Sequence, residues 1–165
     1  MVILASIVLA AQCVSYGTCT ANTAPDLSVA RVASDQVSTS TTFANVTGLS
    51  KTISANTSYS FICELSYSTA ATTTALQVSI NGPANPVAVR FTVLTATSAT
   101  AIHTASNGAY DANVNPATGV TTASFVKVAG TVENGVNAGT ISLRFRTEVA
   151  ASAVAIGRGS FCVFY

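Results

Sequence analysis

Tyr59, Phe61, Cys63, Leu65 and Tyr67 alternate with Ser58, Ser60, Ile62, Glu64 and Ser66. Successive strand side chains point to opposite faces, so the first set predicts one core-facing side of a strand. Leu76, Val78 and Ile80 repeat the device against Gln77 and Ser79. Asn81-Gly82-Pro83 then stops the strand, because Gly accepts positive φ and Pro has no N–H for a ladder. Residues 68–74 are Ser, Thr and Ala only and read as the loop of a central hairpin. Val87, Val89, Phe91 and Val93 alternate with Ala88, Arg90, Thr92 and Leu94. Residues 123–133 are strand-like with a break at Ala129-Gly130, and Asn134-Gly135 is the strongest hairpin dipeptide in the chain. In residues 140–149, Ile141, Leu143, Phe145 and Val149 are expected inward, with Ser142, Arg144, Arg146 and Glu148 outward. Shorter strands are expected at 29–37, 41–46, 50–55, 154–156 and 160–165, with a turn at Thr47-Gly48. Residues 97–116 form the longest irregular stretch and the expected exposed loop. No helical period persists over three turns. The pattern predicts an all-β, antiparallel β-sandwich.

The first twelve residues, MVILASIVLAAQ, break this pattern by being apolar almost throughout. The run falls short of the ~20 residues that span a bilayer, and it lacks the positive n-region of a signal peptide. It is expected to be a strand or arm covered by the domain or by a neighbouring subunit. Met1, Val2, Ile3, Leu4, Ile7, Val8 and Leu9 are then candidate interface residues. Residues 13–30, with Gly17, Asn22 and Pro25, read as a loop or extended arm. The chain thus divides into an N-terminal apolar arm, 1–30, and a sandwich domain, 31–165.

Composition sharpens this picture. Only 8% of the 165 residues are charged, against ~25% in an ordinary soluble domain. Ser, Thr, Asn and Ala fill the deficit. Two readings follow: a β protein with a Thr/Ser-rich surface, or a subunit whose surface is largely buried in an assembly, since net charge near zero favours association. The formal net charge is +1, and five arginines and two lysines are scattered without a basic cluster. Nucleic-acid binding, which needs several phosphates neutralised together, is not expected. Cys13, Cys19, Cys63 and Cys162 fit no zinc spacing. Cys63 lies on an apolar strand face, and free buried thiols are expected, as suits assembly in a reducing cytoplasm.

Candidate chemistry is thin. His103, the only histidine, falls in the long loop, and no G-x-S-x-G elbow accompanies it. The carboxylates Asp26, Asp35, Glu64, Asp111, Glu133 and Glu148 come without a tryptophan to stack a sugar between them. Asp111, Asn113 and Asn115 offer oxygens at alternate positions but lack the glycine and distant Glu of a calcium loop. No catalytic, cofactor or metal site is expected. Arg144, Arg146 and Glu148 on one strand, with Glu64 and Arg90 on others, make either cross-strand ion pairs or an inter-subunit network.

One resemblance covers roughly residues 32–165. Tyr59-Ser60-Phe61, Tyr67-Ser68-Thr69-Ala70-Ala71-Thr72-Thr73-Thr74 and Asn81-Gly82-Pro83-Ala84 resemble the β-rich domain near the C-terminus of many tailed-phage virion proteins. Residues 95–98 (TATS), 128–135 (VAGTVENG) and Leu143-Arg144-Phe145 also fit it. The resemblance implies a jelly-roll type of sandwich and a homotrimer. It further implies a non-enzymatic virion protein, assembled in the host cytoplasm, that decorates or cements a capsid through the major capsid protein or another virion protein. No membrane partner is expected. The alternative is a receptor- or glycan-binding module of a tail or head fibre, with His103, Asn107, Tyr110 and Asp111 in its recognition loop. A third class is a secreted or surface-layer protein, with residues 1–12 as signal and the cysteines oxidised.

Overall fold

The computed structural model describes residues 27–114 and 116–165. The apolar segment 1–12, its candidate interface residues, Cys13, Cys19 and Asn115 lie outside them. Eleven strands follow one another: β1 (Ser28–Arg31), β2 (Gln36–Ser38), β3 (Ala44–Ile53), β4 (Ser58–Thr69), β5 (Leu76–Asn81), β6 (Ala88–Ala96), β7 (Ile102–Asn107), β8 (Ser124–Glu133), β9 (Gly139–Thr147), β10 (Val154–Ile156) and β11 (Phe161–Phe164). They form an all-β sandwich of two antiparallel sheets. The larger has eight strands, ordered β1-β11-β4-β8-β6-β7, with β10 and β2 branching from β4; the smaller is β3-β9-β5. This uneven division does not bear out the jelly-roll detail.

The alternation in β4 carries the core. Tyr59, Phe61, Cys63, Leu65 and Tyr67 are all buried, and they face Leu76, Val78, Ile80, Ile141, Leu143 and Phe145 of the small sheet. β4 and β5 are therefore not the hairpin their proximity implies. The chain crosses from one sheet to the other between them, and β5 pairs with β9. Asn134-Gly135 is likewise a corner between sheets, since β8 pairs with β4 and β6 while β9 pairs with β3 and β5. Asn134 is buried there, and its Nδ2 donates to the Ser54 and Asn137 carbonyls.

Other strand boundaries also shift. β3 runs straight through Thr47-Gly48, with a bulge between the Asn45–Arg144 and Ser50–Ser142 pairs. Gly48 has φ +91°, and a Cβ there would fall on the Arg31 carbonyl oxygen. The Gln36 side chain pins the bulge by donating to the Thr47 carbonyl and accepting from its N–H. The expected loop 97–116 contains β7, an edge strand on β6. Residues 28–30 of the expected arm belong to β1 and pair with β11. Val149 lies beyond β9 and is exposed, and Thr147 takes the last inward position.

β4 changes partner along one side. Its first half pairs with β11 and its end with β10. At the fork, the Ser66 N–H donates to Ser160 Oγ, which donates in turn to the Gly157 carbonyl. Cys63 and Cys162 stand directly opposite each other on β4 and β11. Ser60 and Tyr165 exchange both backbone bonds nearby, so the Cys pair falls three residues on, at a non-hydrogen-bonded position. Side chains approach most closely at such positions, and the two cysteines form a disulfide. The expectation of free thiols is overturned for this pair, because the apolar face that buries Cys63 also holds its register partner.

Tyr67 makes a further tie at the end of β4, its phenol donating to the Ala96 carbonyl. Burial pushes this phenol up to about 12 from its ordinary 10. Above pH 10 an unfolded tyrosine sheds a proton that the folded chain keeps. Stability is therefore full below pH 10 and is expected to fall by roughly 2–3 kcal/mol as pH rises to about 12. Urea titrations from pH 9 to 12 should show this slope, and Tyr67→Phe should flatten most of it. Tyr110, also raised by burial, adds in the same direction.

Candidate functional site

The two sheets differ in what covers their outer sides. On the small sheet, Gln77 and Ser79 of β5 were expected outward, yet both are buried. Two segments close over them, 41–43 and 108–114, held by the arginines of β9. Arg144 Nη1 lies 2.5 Å from Asp111 Oδ2, and its Nη2 donates to the Phe43 carbonyl. Asn81 Nδ2 donates to the same Asp111 oxygen at 2.7 Å. Arg146 donates to Gln77 Oε1, the Thr41 carbonyl and Asn113 Oδ1, and its guanidinium lies 4.5 Å from the Phe43 ring centre.

Arg144 and Arg146 thus engage partners within their own chain, as a clamp on two loop segments. Glu148 is exposed beyond the end of β9. Glu64 and Arg90 belong to the other sheet and do not join this group. The structure also scatters the proposed recognition residues. His103 and Asn107 are on β7, Tyr110 is half-buried against the core, and Asp111 is held by Arg144 and Asn81. Asp111 Oδ2 and Asn113 Oδ1 accept from side chains of this chain, and no metal-holding group of three acidic, His or Cys residues occurs among the described residues.

The clamp makes a direct prediction. Arg144→Met leaves the half-buried Asp111 carboxylate with Asn81 alone, and is expected to cost about 2 kcal/mol, less than for a fully buried pair. Asp111→Ala should cost a similar amount, and the double variant less than the sum by at least ~0.5 kcal/mol. Urea denaturation of the four proteins in a cycle measures this.

The large sheet presents the opposite picture: its outer side stays uncovered by described residues. Along the β4–β8 seam the outward pairs are Ser66–Phe125, Glu64–Lys127, Ile62–Ala129 and Ser60–Thr131. Phe125 is 50% exposed and Val29, beyond β11, 52%. Phe161 and Val163 of β11 and Leu94 of β6 are partly exposed on the same side. Lys127 Nζ lies 3.6 Å from Glu64 Oε1, and Arg31 caps the Phe161 ring at 5.2 Å. At the fork in β4 an open cleft of about 550 Å³ exposes Ser34, Asp35, Ser66, Ser68 and Arg158. Across it the Arg158 N–H donates to Asp35 Oδ1.

The alternation in β4 and β8 carries a signal for this face. Ile62 and Phe125 are large apolar residues at polar-phase positions. The fold and this face define an all-β sandwich with one closed and one open outer side. Compared with known proteins, the chain matches no family model and no curated protein.

Proposed function

We propose that the chain is a non-enzymatic structural protein of a bacteriophage virion, a capsid decoration or cement subunit that binds and stabilises the particle surface. The observation that carries this reading is the open outer side of the large sheet. Isolated surface apolar residues are ordinary, but a contiguous apolar strip rimmed by polar groups marks an interaction surface. The low charge of the chain supports the same reading, because such a surface is suited to staying in an assembly.

The homotrimer and the partner, a major capsid protein or another virion protein, rest on the resemblance of residues 59–86 and the later motifs. Nucleic acid and membrane have no part in this reading. The Cys63–Cys162 disulfide does not support cytoplasmic assembly: such bridges form in oxidising surroundings, which is the feature of the secreted or surface-layer class. The test is peptide mass spectrometry of density-purified particles from cultures that express the chain. Peptides co-banding with DNA-filled capsids at a fixed ratio to the major capsid protein are expected. A chain recovered only in the cell envelope or the medium, apart from particles, overturns the proposal.

A further inference from the structure

We propose that the outer side of the large sheet pairs with the same side of a second copy, about a two-fold axis lying parallel to the strands between β4 and β8. The inference rests on the reading of the chain as an assembly subunit, and not on the trimer or the virion.

The argument comes from the four outward pairs along the seam. Three of them join unlike partners: small with large in Ser66–Phe125, acid with base in Glu64–Lys127, large with small in Ile62–Ala129; the fourth, Ser60–Thr131, sets two small hydroxyl side chains together. A two-fold axis between β4 and β8 lays each strand over the other strand of the second copy. Phe125 then sits over the second copy's Ser66, and Ile62 over its Ala129. Lys127 meets the second copy's Glu64 while keeping its own, at 3.6 Å. The four charges close a ring of alternating sign, so none enters the seam unpaired, the condition under which buried charges cost most. Two sheets stacked this way lie ~10 Å apart with strands nearly aligned, as in any sandwich.

The size is adequate. Six strands at ordinary spacing and rise give a face of about 650 Å², close to the ~800 Å² per partner of a stable interface. The small sheet offers no equal surface, because the Arg144 and Arg146 clamp closes its outer side. An isologous contact joins copies in pairs. It is compatible with a trimer only if two trimers meet back to back.

The test is the mass of the full-length chain, by light scattering and sedimentation across micromolar to millimolar concentrations. An even-numbered particle, a dimer or a hexamer, is expected. Lys127→Glu and Glu64→Lys each set like charges against the second copy and should weaken pairing at least ~30-fold. The double swap Glu64→Lys with Lys127→Glu restores every opposition and should recover it. Ala129→Trp, which fills the receiving side of the seam without changing charge, should give a folded half-size particle with unchanged far-UV circular dichroism. Four results overturn the pairing: a monomer at all concentrations, a double swap that stays dissociated, a trimer indifferent to all these substitutions, or an Ala129→Trp chain that unfolds. The last would mean that the chain's own residues already cover the face. An indifferent trimer leaves the virion reading standing; an even-numbered particle from a chain absent from purified virions removes that reading and keeps the pairing.

Discussion

Replacing both Cys63 and Cys162 by Ser is expected to lower stability by about 2–5 kcal/mol. The bridge spans 99 residues, from the central strand to the last strand of the chain. In the chain-entropy account, a cross-link over so long a loop removes much of the freedom of the unfolded state. Both cysteines are buried, at 1% and 0% exposure, so reductant must act on the unfolded protein. Wild type refolded in dithiothreitol and the double Ser variant should melt together, roughly 10 °C below the oxidised protein. Equal melting of the oxidised and reduced chains would show that register and packing alone hold β11 to β4. The double variant is preferable to either single one, which would leave a lone thiol free to pair elsewhere.

Gly130→Val should destabilise the fold by about 3 kcal/mol or more, although it repairs the alternation of β8 on paper. Val126, Val128 and Val132 point inward, and Gly130 occupies the inward position between them. Its register partners are Phe61 on β4 and Phe91 on β6. Their side chains fill the space a side chain would take. A Cβ at Gly130 would lie 2.7 Å from Phe91 Cβ and 2.9 Å from Phe61 Cζ, and would fall on the Arg90 carbonyl oxygen. Backbone cannot step aside as the end of a flexible side chain can, so the clash must open the sheet or displace both rings. Thr131→Val, one residue on and facing out, is the control and should stay within ~0.5 kcal/mol of wild type. Chemical denaturation of the three proteins decides the matter, and a neutral Gly130→Val would mean that the rings have room to move.

Gly130 also shows where a reading by pattern loses its way. A glycine in an alternating run looks like a break, yet β8 continues through it because aromatic rings on two neighbouring strands close over it. The same blindness to partners explains β5. Gln77 and Ser79 look like a solvent-facing phase, but the β9 arginines draw two loop segments across them. It explains the loop residues too. Tyr110 and Asp111 look exposed because Asn, Asp and Gly surround them, yet Tyr110 packs against the core and the partners of Asp111 lie on β5 and β9, some thirty residues away in the chain. Cys63 could be placed on an apolar face from its neighbours, but nothing local identifies Cys162 as the residue opposite.

Strand character, inward phase and sandwich class were legible because they depend on near neighbours. Tyr59 to Tyr67, Val89 to Val93 and Ile141 to Phe145 carry a two-residue period strong enough to dictate which side is buried. Which strand joins which sheet was decided only in three dimensions. Asn134-Gly135 and residues 68–74 are as compatible with a hairpin as with a corner between sheets, and the choice belongs to the core packing that β5 and β9 complete against β4 and β8. The bridge, the clamp and the open face follow from that choice, since each is a meeting of residues that the chain itself keeps far apart.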